Sequence, residues 1–414
     1  MMRIALQFFS CLLALLVLLP GYVTGPLHAQ DDRSPDIVYL PVNVSLAPGL
    51  SIGDAVARAT GAEIVNHVSL TIFGGRAHAL EGVEFGYIWN SYEAYVRGAQ
   101  FSGIANSVGG HVRGAQFAGI VNIAGGGVEG GQFSGISNVV DGDVHGVQSA
   151  GIANIVEGDM TGAQMSGIAN LVSGRAEAQF SGIASVAGGE VGIIQASGTV
   201  SVAGGDVTGL QLSGIANAAG QSVRGVQVAG IANVARHATG VQLALVNVAE
   251  KSTGAPIGLF SYIGSVGLKY DVWADETGIV STAVRSGNEY VSNFIGIGAV
   301  AGAGPFRWAA LAGLGVEGQL SRQVFGSIDV LGYGLRADSW DSWGQLTRLR
   351  ALVGVHVSRH AAIFFGPSFN VYASTEVNGD EIAPWSVYDT RSDDTFVSLW
   401  PGFNIGLRIA PRGR

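Results

Sequence analysis

The chain has 414 residues, of which 64 are Gly and 11 are Pro, and 48% of the residues are apolar. This composition is too hydrophobic for a disordered chain and too rich in Gly for an ordinary globular domain, and there is no Gly-X-Y register of the collagen type. Charged residues make up 13% of the chain and the formal net charge is −9, so we expect no nucleic-acid partner.

The first segment, residues 1–29, has the features of a secretory signal peptide. Arg3 supplies a positive start, residues 12–19 form an apolar stretch too short to span a bilayer, and Ala29 offers a small residue at a cleavage position. The single Cys, Cys11, lies in this segment. We therefore expect an exported mature chain without disulfide or thiol chemistry, and any insertion of that chain into a membrane would have to use strands.

Residues 30–82 are expected to form an N-terminal cap on the repeats that follow. Two apolar segments, residues 37–46 and 65–73, are separated by a stretch that predicts a short helix starting near Ser51 or Asp54. Terminal units of a repeat protein have to cap the stack, so an atypical sequence is expected at this place.

A unit of about sixteen residues recurs through residues 83–262. Each unit carries a Gln, and most units carry a Gly three residues later and an Asn six residues after the Gln. The Gln column consists of Gln100, Gln116, Gln132, Gln148, Gln164, Gln179, Gln195, Gln211, Gln227 and Gln242, and the Asn column consists of Asn106, Asn122, Asn138, Asn154, Asn170, Asn217 and Asn233. Ser185 and Ser201 replace the Asn in two units.

This period predicts an all-β chain with a β-solenoid of about sixteen residues per rung. Val, Ile and Phe favour strands, whereas Gly and Asn interrupt them, so each unit should hold two short strands. Stacked rungs would place identical side chains about 4.8 Å apart, and the Gln and Asn amides would form ladders of structural residues. A column that includes Ile104 and Ile120 is expected to form the dry interior.

A continuous antiparallel meander or barrel is the alternative, in which each unit is one long strand. Two features favour the solenoid. The last unit, residues 242–247, lacks one residue between Gln and Asn, which would flip every later side chain in a strand but is absorbed at a corner. A Gly at a fixed internal place, such as Gly103, suggests a bend with positive φ.

Residues 263–414 show a different pattern, with more aromatic residues and clear period-2 alternation. Long alternating segments between residues 266 and 410 predict an antiparallel β-barrel or sheet. Apolar residues outside and charged residues inside would be typical of an outer-membrane barrel, and the reverse would be typical of a soluble one. We favour the membrane orientation, although residues 411–414 lack the aromatic end typical of such barrels.

The membrane orientation makes two specific predictions about side chains. Interior charge pairing is expected for Lys269, Asp271, Asp329, Arg348, Arg350, His356 and Arg408. Interfacial aromatic girdles are expected from Tyr270, Trp273, Trp308, Trp340, Trp343, Trp385 and Trp400.

The stretch Gly-Val-Gln-Val-Ala-Gly-Ile-Ala-Asn-Val at residues 225–234 resembles a family of uncharacterised bacterial surface-repeat proteins. Their repeats have the form Gly-[Val/Ala/Leu]-Gln-x-x-Gly-[Ile/Leu]-x-Asn and follow a signal peptide. The likeness covers roughly residues 82–262, and residues 43–49 and 365–372 look like the opening segment and the C-terminal strand of that family. The resemblance implies an exported, surface or outer-membrane protein, and it supplies no catalytic residues.

Motifs for chemistry are weak. Residues 313–318 match the dinucleotide-binding fingerprint by letter, but they lie inside an alternating strand, whereas the fingerprint needs a strand-to-helix turn. A partial column of acidic turns could hold calcium, although Asp-Gly turns are also common for turn geometry and solubility. The acidic residues of these turns are Asp141, Asp143, Glu157, Asp159, Glu190 and Asp206.

We therefore predict a non-enzymatic protein without catalytic, cofactor-binding or metal-binding residues. The solenoid would be a rigid spacer or a surface for an unknown protein or glycan, and the barrel would anchor it in the lipid of a bacterial outer membrane or at the cell surface. A self-associating scaffold is one alternative, because open β edges invite pairing. A carbohydrate-active β-helix enzyme is another, but the repeat faces carry Ala, Ser, Gln and Asn rather than paired carboxylates.

Overall fold

The structure is a computed structural model that describes residues 36–300, 308–336, 344–375, 382–392 and 395–410. The expected signal peptide with Cys11 lies outside the described residues, as do Trp340 and Trp343. Within the described ranges the chain is nearly all β, with one helix, α1, at Ile52–Thr60.

The strands before the repeats and within them are β1 Ile37–Ala47, β2 Leu50–Ser51, β3 Glu63–Thr71, β4 Gly75–Gly86, β5 Trp89–Ser102, β6 Ala105–Val108, β7 Val112–Ala118, β8 Val121–Ala124, β9 Val128–Ser134, β10 Ser137–Val140, β11 Val144–Ala150, β12 Ala153–Val156, β13 Met160–Ser166, β14 Ala169–Val172, β15 Ala176–Ser181, β16 Ala184–Ala187, β17 Val191–Ser197, β18 Val200–Ala203, β19 Leu210–Ser213, β20 Ala216–Ala219, β21 Ser222–Val223, β22 Val226–Ala229, β23 Ala232–Ala238, β24 Val241–Leu243, β25 Val246–Ser252, β26 Ala255–Ile257 and β27 Phe260–Ile263. The strands after the repeats are β28 Lys269–Asp275, β29 Ile279–Gly287, β30 Val291–Val300, β31 Trp308–Gln319, β32 Val324–Arg336, β33 Gly344–His356, β34 Ala361–Ser374, β35 Tyr388–Ser392 and β36 Thr395–Ile409.

The predicted solenoid is confirmed. Strands β1 to β27 belong to one sheet system that winds through about 12 turns, and neighbouring rungs pair in parallel. The register keeps equivalent residues opposite one another, as Gln116 opposite Gln132 and Asn122 opposite Asn138. Parallel pairing of short strands excludes the antiparallel meander for the repeat region.

The segment before the repeats contributes strands to the same sheet. Strand β1 pairs in parallel with β3, and β3 pairs in parallel with β4, so these strands form the first rungs. Helix α1 starts after Ser51, whose side chain accepts a hydrogen bond from the backbone N–H of Asp54 at 2.9 Å. The helix ends at Gly61, which has φ +71°.

The expectation that the Ile column forms the interior is wrong. Ile104 and Ile120 are 42% and 37% exposed, whereas Val112 and Val128 are fully buried or nearly so. The reason is that Ile lies at the corner between the two strands of a rung and points outward there, while strand alternation turns the Gln, Asn and Val side chains inward.

The explanation expected for the repeated Gly is also wrong. Gly103 does not have a positive φ, and the positive values occur instead in a column that includes Gly98 and Gly114. A Cβ atom on Gly103 would lie 2.1 Å from the carbonyl oxygen of Tyr87 in the preceding rung. Gly is therefore needed at this corner because the backbones of successive rungs approach closely.

The C-terminal β domain is a closed eight-stranded antiparallel barrel. Strands β28 to β34 pair in sequence, β34 pairs with β36, and β36 closes the barrel by pairing with β28. Strand β35 pairs with the part of β36 that β28 does not reach.

The last solenoid rung is joined to the barrel by side chains near the turn between β29 and β30. Asn293 accepts a hydrogen bond from Gly258 N–H and donates one to the carbonyl oxygen of Pro256, both at 2.9 Å. Asn288 donates to the carbonyl oxygen of Gly254 at 2.6 Å. These contacts satisfy backbone groups that the final rung would otherwise present as an open edge.

Candidate functional site

The interior of the barrel holds a network of paired charges. Arg285 and Arg408 approach Glu317 at 2.8 and 2.6 Å, and all three side chains are almost completely buried. Asp271 is 2.8 Å from Arg408, and Asp329 lies opposite both Arg285 and Arg350 at 3.2 and 3.0 Å. Strand alternation places these residues on one face, and their pairing offsets the cost of removing each charge from water.

A second group of buried polar side chains lies near the other end of the barrel. Arg348 forms an ion pair with Asp275 and donates to Asn370 at 2.7 Å. Glu276 accepts hydrogen bonds from Asn370 at 2.9 Å and from the indole N–H of Trp400 at 2.8 Å.

Aromatic rings fill the space between these charges. The guanidinium of Arg350 lies 4.5 Å from the ring centre of Trp273, and that of Arg408 lies 4.6 Å from the ring centre of Phe325. An eight-stranded barrel is just wide enough for such a filling, so this interior is a packed core and not a lumen. The residues expected to pair inside are found there, and His356 lies half-buried at a strand end against Phe325.

The outer surface of the barrel is apolar. Val330 and Leu349 face each other across β32 and β33 near the strand centres, and each is 49% exposed. Other exposed apolar side chains on the barrel strands are Val272, Val280, Ile295, Ile297, Leu314, Val316, Ile328, Val353, Val355, Ile363, Phe365, Phe369, Val371, Phe403, Ile405 and Leu407. No helix of the described ranges is both long enough and apolar enough to cross a bilayer.

The prediction of an aromatic girdle is wrong for two of the residues assigned to it. Trp273 and Trp400 are buried in the barrel because they share a strand face with the interior residues Asp271 and Asn404. Tyr270 and Trp385 are exposed and Trp308 is half-buried.

The Gln column forms an unbroken ladder inside the solenoid. Each Gln from Gln116 to Gln242 donates from Nε2 to Oε1 of the preceding Gln at 2.7–3.0 Å. Gln100 donates to the carboxylate of Glu84 at 3.3 Å. All donors therefore point toward the N-terminal end, and every amide is fully buried.

The Asn column runs in the opposite direction. Asn106 donates from Nδ2 to Oδ1 of Asn122 at 2.9 Å, and the pattern continues as far as Asn170. Ser185 and Ser201 interrupt it, and it resumes at Asn217. Asn90 donates to Asn106 and so begins the first Asn series, and Asn217 begins the second. Among the described residues, the side-chain oxygens of Asn90, Asn217 and Gln242 have no hydrogen-bond partner, because each stands at the acceptor end of its series.

Glu84 is a buried ionisable residue that the predicted Gln ladder did not include. It is opposite Gln100 in the register, so a carboxyl group occupies the first position of the Gln column. Burial raises the pKa of Glu84 from 4.5 to about 7, and hydrogen bonds from Gln100 and Thr71 oppose that rise. An acidic residue one period before Gln100 was the available signal.

The two edges of the solenoid differ in polarity. One edge consists of the corners that follow the Gln column and precede the Asn column in each rung. These corners carry no charged residue, and we call this edge the apolar edge. Its residues are 85–89, 101–105, 117–121, 133–137, 149–153, 165–169, 180–184, 196–200, 212–216, 228–232, 243–246 and 257–260. Stacked rings of Phe85, Phe101, Phe117 and Phe133 line a groove of about 880 Å³ at its N-terminal end. The opposite edge carries surface ion pairs such as Arg224 with Asp206.

Three of the acidic turn residues accept hydrogen bonds from backbone N–H groups of the following rung. Asp143 accepts from the backbone N–H of Asp159 at 2.8 Å, and Asp159 accepts from that of Arg175 at 2.7 Å. Asp206 accepts from the backbone N–H of Ser222 in the same way. In the part of the chain that the structure covers, no group of three or more His, Cys, Asp or Glu side chains is arranged to hold a metal ion.

The fingerprint-like residues 313–318 lie within β31, a continuous strand, and so do not form the turn that binds a dinucleotide. Comparisons with protein-family models, with curated proteins and with solved structures found no match to this chain.

Proposed function

We propose that the barrel is an anchor in the outer membrane of a bacterium and that it carries the solenoid as a rigid, non-enzymatic module of the cell envelope. The observation that carries this proposal is the inverted polarity of the barrel. Val330 and Leu349 face outward near the strand centres, while Arg285, Asp329 and Arg350 are buried inside. A soluble barrel would bury the first set and hydrate the second.

Strand length and number support the same proposal. Strands β31 to β34 and β36 contain 12 to 15 residues, and a tilted strand needs about 9–11 residues to cross a bilayer. Eight antiparallel strands are within the range of single-chain outer-membrane barrels. The paired interior charges need no water-filled channel, so a structural anchor fits this barrel better than a pore.

The solenoid is suited to a rigid role because its interior amides are tied to one another along its length. Two ladders of opposite direction oblige neighbouring rungs to keep their register, since a slip would leave several buried amides unpaired. The self-associating scaffold is less well supported, because Asn288 and Asn293 of the barrel cover the C-terminal rung.

The anchor is tested by a matched pair of Arg substitutions. Leu349→Arg places a cation on the outer surface near the centre of β33, and Leu320→Arg places the same change in the turn between β31 and β32, where Leu320 is 67% exposed. Near a bilayer centre the first should cost about 2–4 kcal/mol, and near the interface the second should cost about 0–1 kcal/mol. The readout is the fraction of protein recovered with outer membranes, together with detergent dependence of the purified protein. Equal recovery of both variants, or solubility without detergent, would refute the anchor.

A further inference from the structure

The apolar edge of the solenoid is long, uncharged and exposed. With rungs about 4.8 Å apart, about 12 turns give an edge of roughly 58 Å. Its Ile and Leu side chains point away from the amide ladders, and Ile231, Leu245 and Leu259 are 51%, 53% and 48% exposed. An exposed apolar surface of this extent is a mark of an interaction site.

The opposite edge has the character of a solvated surface. Arg113 pairs with Glu129, and Arg224 pairs with Asp206, all at partly or largely exposed positions. Each rung places an uncharged corner on one side and its charged residues on the other. The solenoid therefore has one apolar edge and one charged edge along its length.

The apolar edge reaches the barrel surface. Gly258 in the last corner donates its N–H to Asn293 of β30, and Leu259 follows it in the sequence. Two residues beyond Asn293, Ile295 points outward from the barrel and is 37% exposed. The apolar edge and the outer surface of the barrel therefore meet at this junction.

We propose that the apolar edge contacts the hydrocarbon region of a lipid leaflet, so that the solenoid lies along the membrane that holds the barrel. This inference rests on the proposed anchor. The apolar edge is continuous with the outer surface of the barrel, so if the barrel surface contacts lipid, the apolar edge should contact lipid as well. The geometry of the groove along Phe101 and Phe117 also favours lipid over a second copy of the chain. Fluid acyl chains can fill a groove of about 880 Å³, whereas a rigid protein face would leave part of it empty.

The test uses the full chain with Cys11→Ser, reconstituted in phosphatidylethanolamine–phosphatidylglycerol vesicles with and without brominated acyl chains. A bimane probe is attached to Cys at one position at a time. Ile231→Cys reports the apolar edge, Arg236→Cys reports the charged edge of the same rung, and Leu349→Cys reports the barrel surface. Ile215→Cys repeats the first measurement one rung earlier, in case Ile231→Cys does not fold.

We expect brominated lipid to quench the probes at Ile231 and Leu349 at least twofold more than the probe at Arg236. Quenching at Leu349 without quenching at Ile231 or Ile215 would overturn the inference and leave the anchor intact. Absence of quenching at Leu349 would refute the anchor itself. Disulfide cross-linking between chains through Ile231→Cys, without lipid quenching, would assign the edge to a second copy and also overturn the inference.

Discussion

Glu84 accepts a hydrogen bond from Gln100 Nε2 at 3.3 Å, so a carboxyl group ends a series of buried amides that all donate toward it. Amides aligned in this way place their positive N–H ends on the side of Glu84, and hydrogen bonds in a series polarise one another. The carboxyl is nevertheless removed from water, which explains why its pKa is raised to about 7.

The first prediction concerns stability as a function of pH. Because the folded pKa of Glu84 is about 7 and the ordinary value is 4.5, the folded state binds the additional proton between these values. The contribution of Glu84 to the free energy of unfolding should therefore be greatest below about pH 4.5. It should fall as the pH rises from 4.5 through 7, and above that range the protein should be less stable by about 3 kcal/mol. Glu84→Gln should remove this dependence and be more stable than wild type at pH 8. Parallel unfolding curves of the two proteins, recorded by circular dichroism from pH 5 to 8, measure the effect, and identical pH profiles would contradict it.

The second prediction compares the middle of the Gln ladder with its end. Gln148 accepts from Gln164 and donates to Gln132, so Gln148→Leu leaves one donor and one acceptor buried without a partner. Gln242 only donates, to Gln227, so Gln242→Leu leaves one acceptor. At about 1–3 kcal/mol for each orphaned group, the loss in free energy of unfolding should be about twice as large for Gln148→Leu. Equal losses from the two substitutions would show that the ladder does not act in this way.

The architecture followed from the sequence because a repeat period is a property of the whole stack, and it does not depend on knowing the environment of any one residue. Whether each side chain points into the core or toward the outside was harder to predict from the sequence. A buried Gln is stable here only through Gln residues of the neighbouring rungs, so within one unit Ile104 looks like the better core residue. Trp273 is a different case, because strand alternation puts it on the same face as Asp271. With Asp271 predicted inside the barrel, the pattern itself indicated an interior Trp273, and the girdle prediction conflicted with it.

The third prediction is a repair of the Asn ladder. Asn217 has a buried Oδ1 without a hydrogen-bond partner, and Ser201 occupies the equivalent position in the preceding rung. Ser201→Asn would supply a donor in the direction used by Asn106 and its successors. It would also remove the hydrogen bond between the hydroxyls of Ser201 and Ser197, so the net gain should be below about 1 kcal/mol. Ser201→Ala is the matched control and should give no gain. The thermal unfolding midpoints of the two variants decide the outcome, and a lower midpoint for Ser201→Asn would show that these rungs lack room for the amide.

The fourth prediction concerns the side of the membrane on which the solenoid lies. The turns at the solenoid end of the barrel, residues 288–290, 320–323 and 357–360, are all short. At the opposite end the turn 276–278 is also short, but the connections 301–307, 337–343 and 375–387 are longer. In outer-membrane barrels the short turns face the periplasm. If the barrel is an anchor, the solenoid should be periplasmic.

A protease site inserted in residues 376–381 should then be cut on intact cells, and the same site inserted in residues 320–323 should be cut only after the outer membrane is opened. Cleavage in residues 320–323 on intact cells would place the solenoid outside the cell. Recovery of the inserted proteins with the membrane fraction is the control for correct assembly.

The last prediction addresses the charges inside the barrel. Asp329 lies 3.2 Å from Arg285 and 3.0 Å from Arg350, and all three side chains are almost completely buried. Asp329→Asn keeps the size of the side chain but leaves the two guanidinium groups with less negative charge to balance them, and breaking such a buried pair costs about 3–5 kcal/mol. Glu289→Gln, in the exposed turn between β29 and β30, removes a carboxylate at the surface and should change little. Urea unfolding in detergent can be followed by Trp fluorescence, because Trp273 lies against Arg350 and reports the interior. A midpoint for Asp329→Asn equal to that of Glu289→Gln would mean that the interior charges are hydrated in solution, and the packed core described for this barrel would then be wrong.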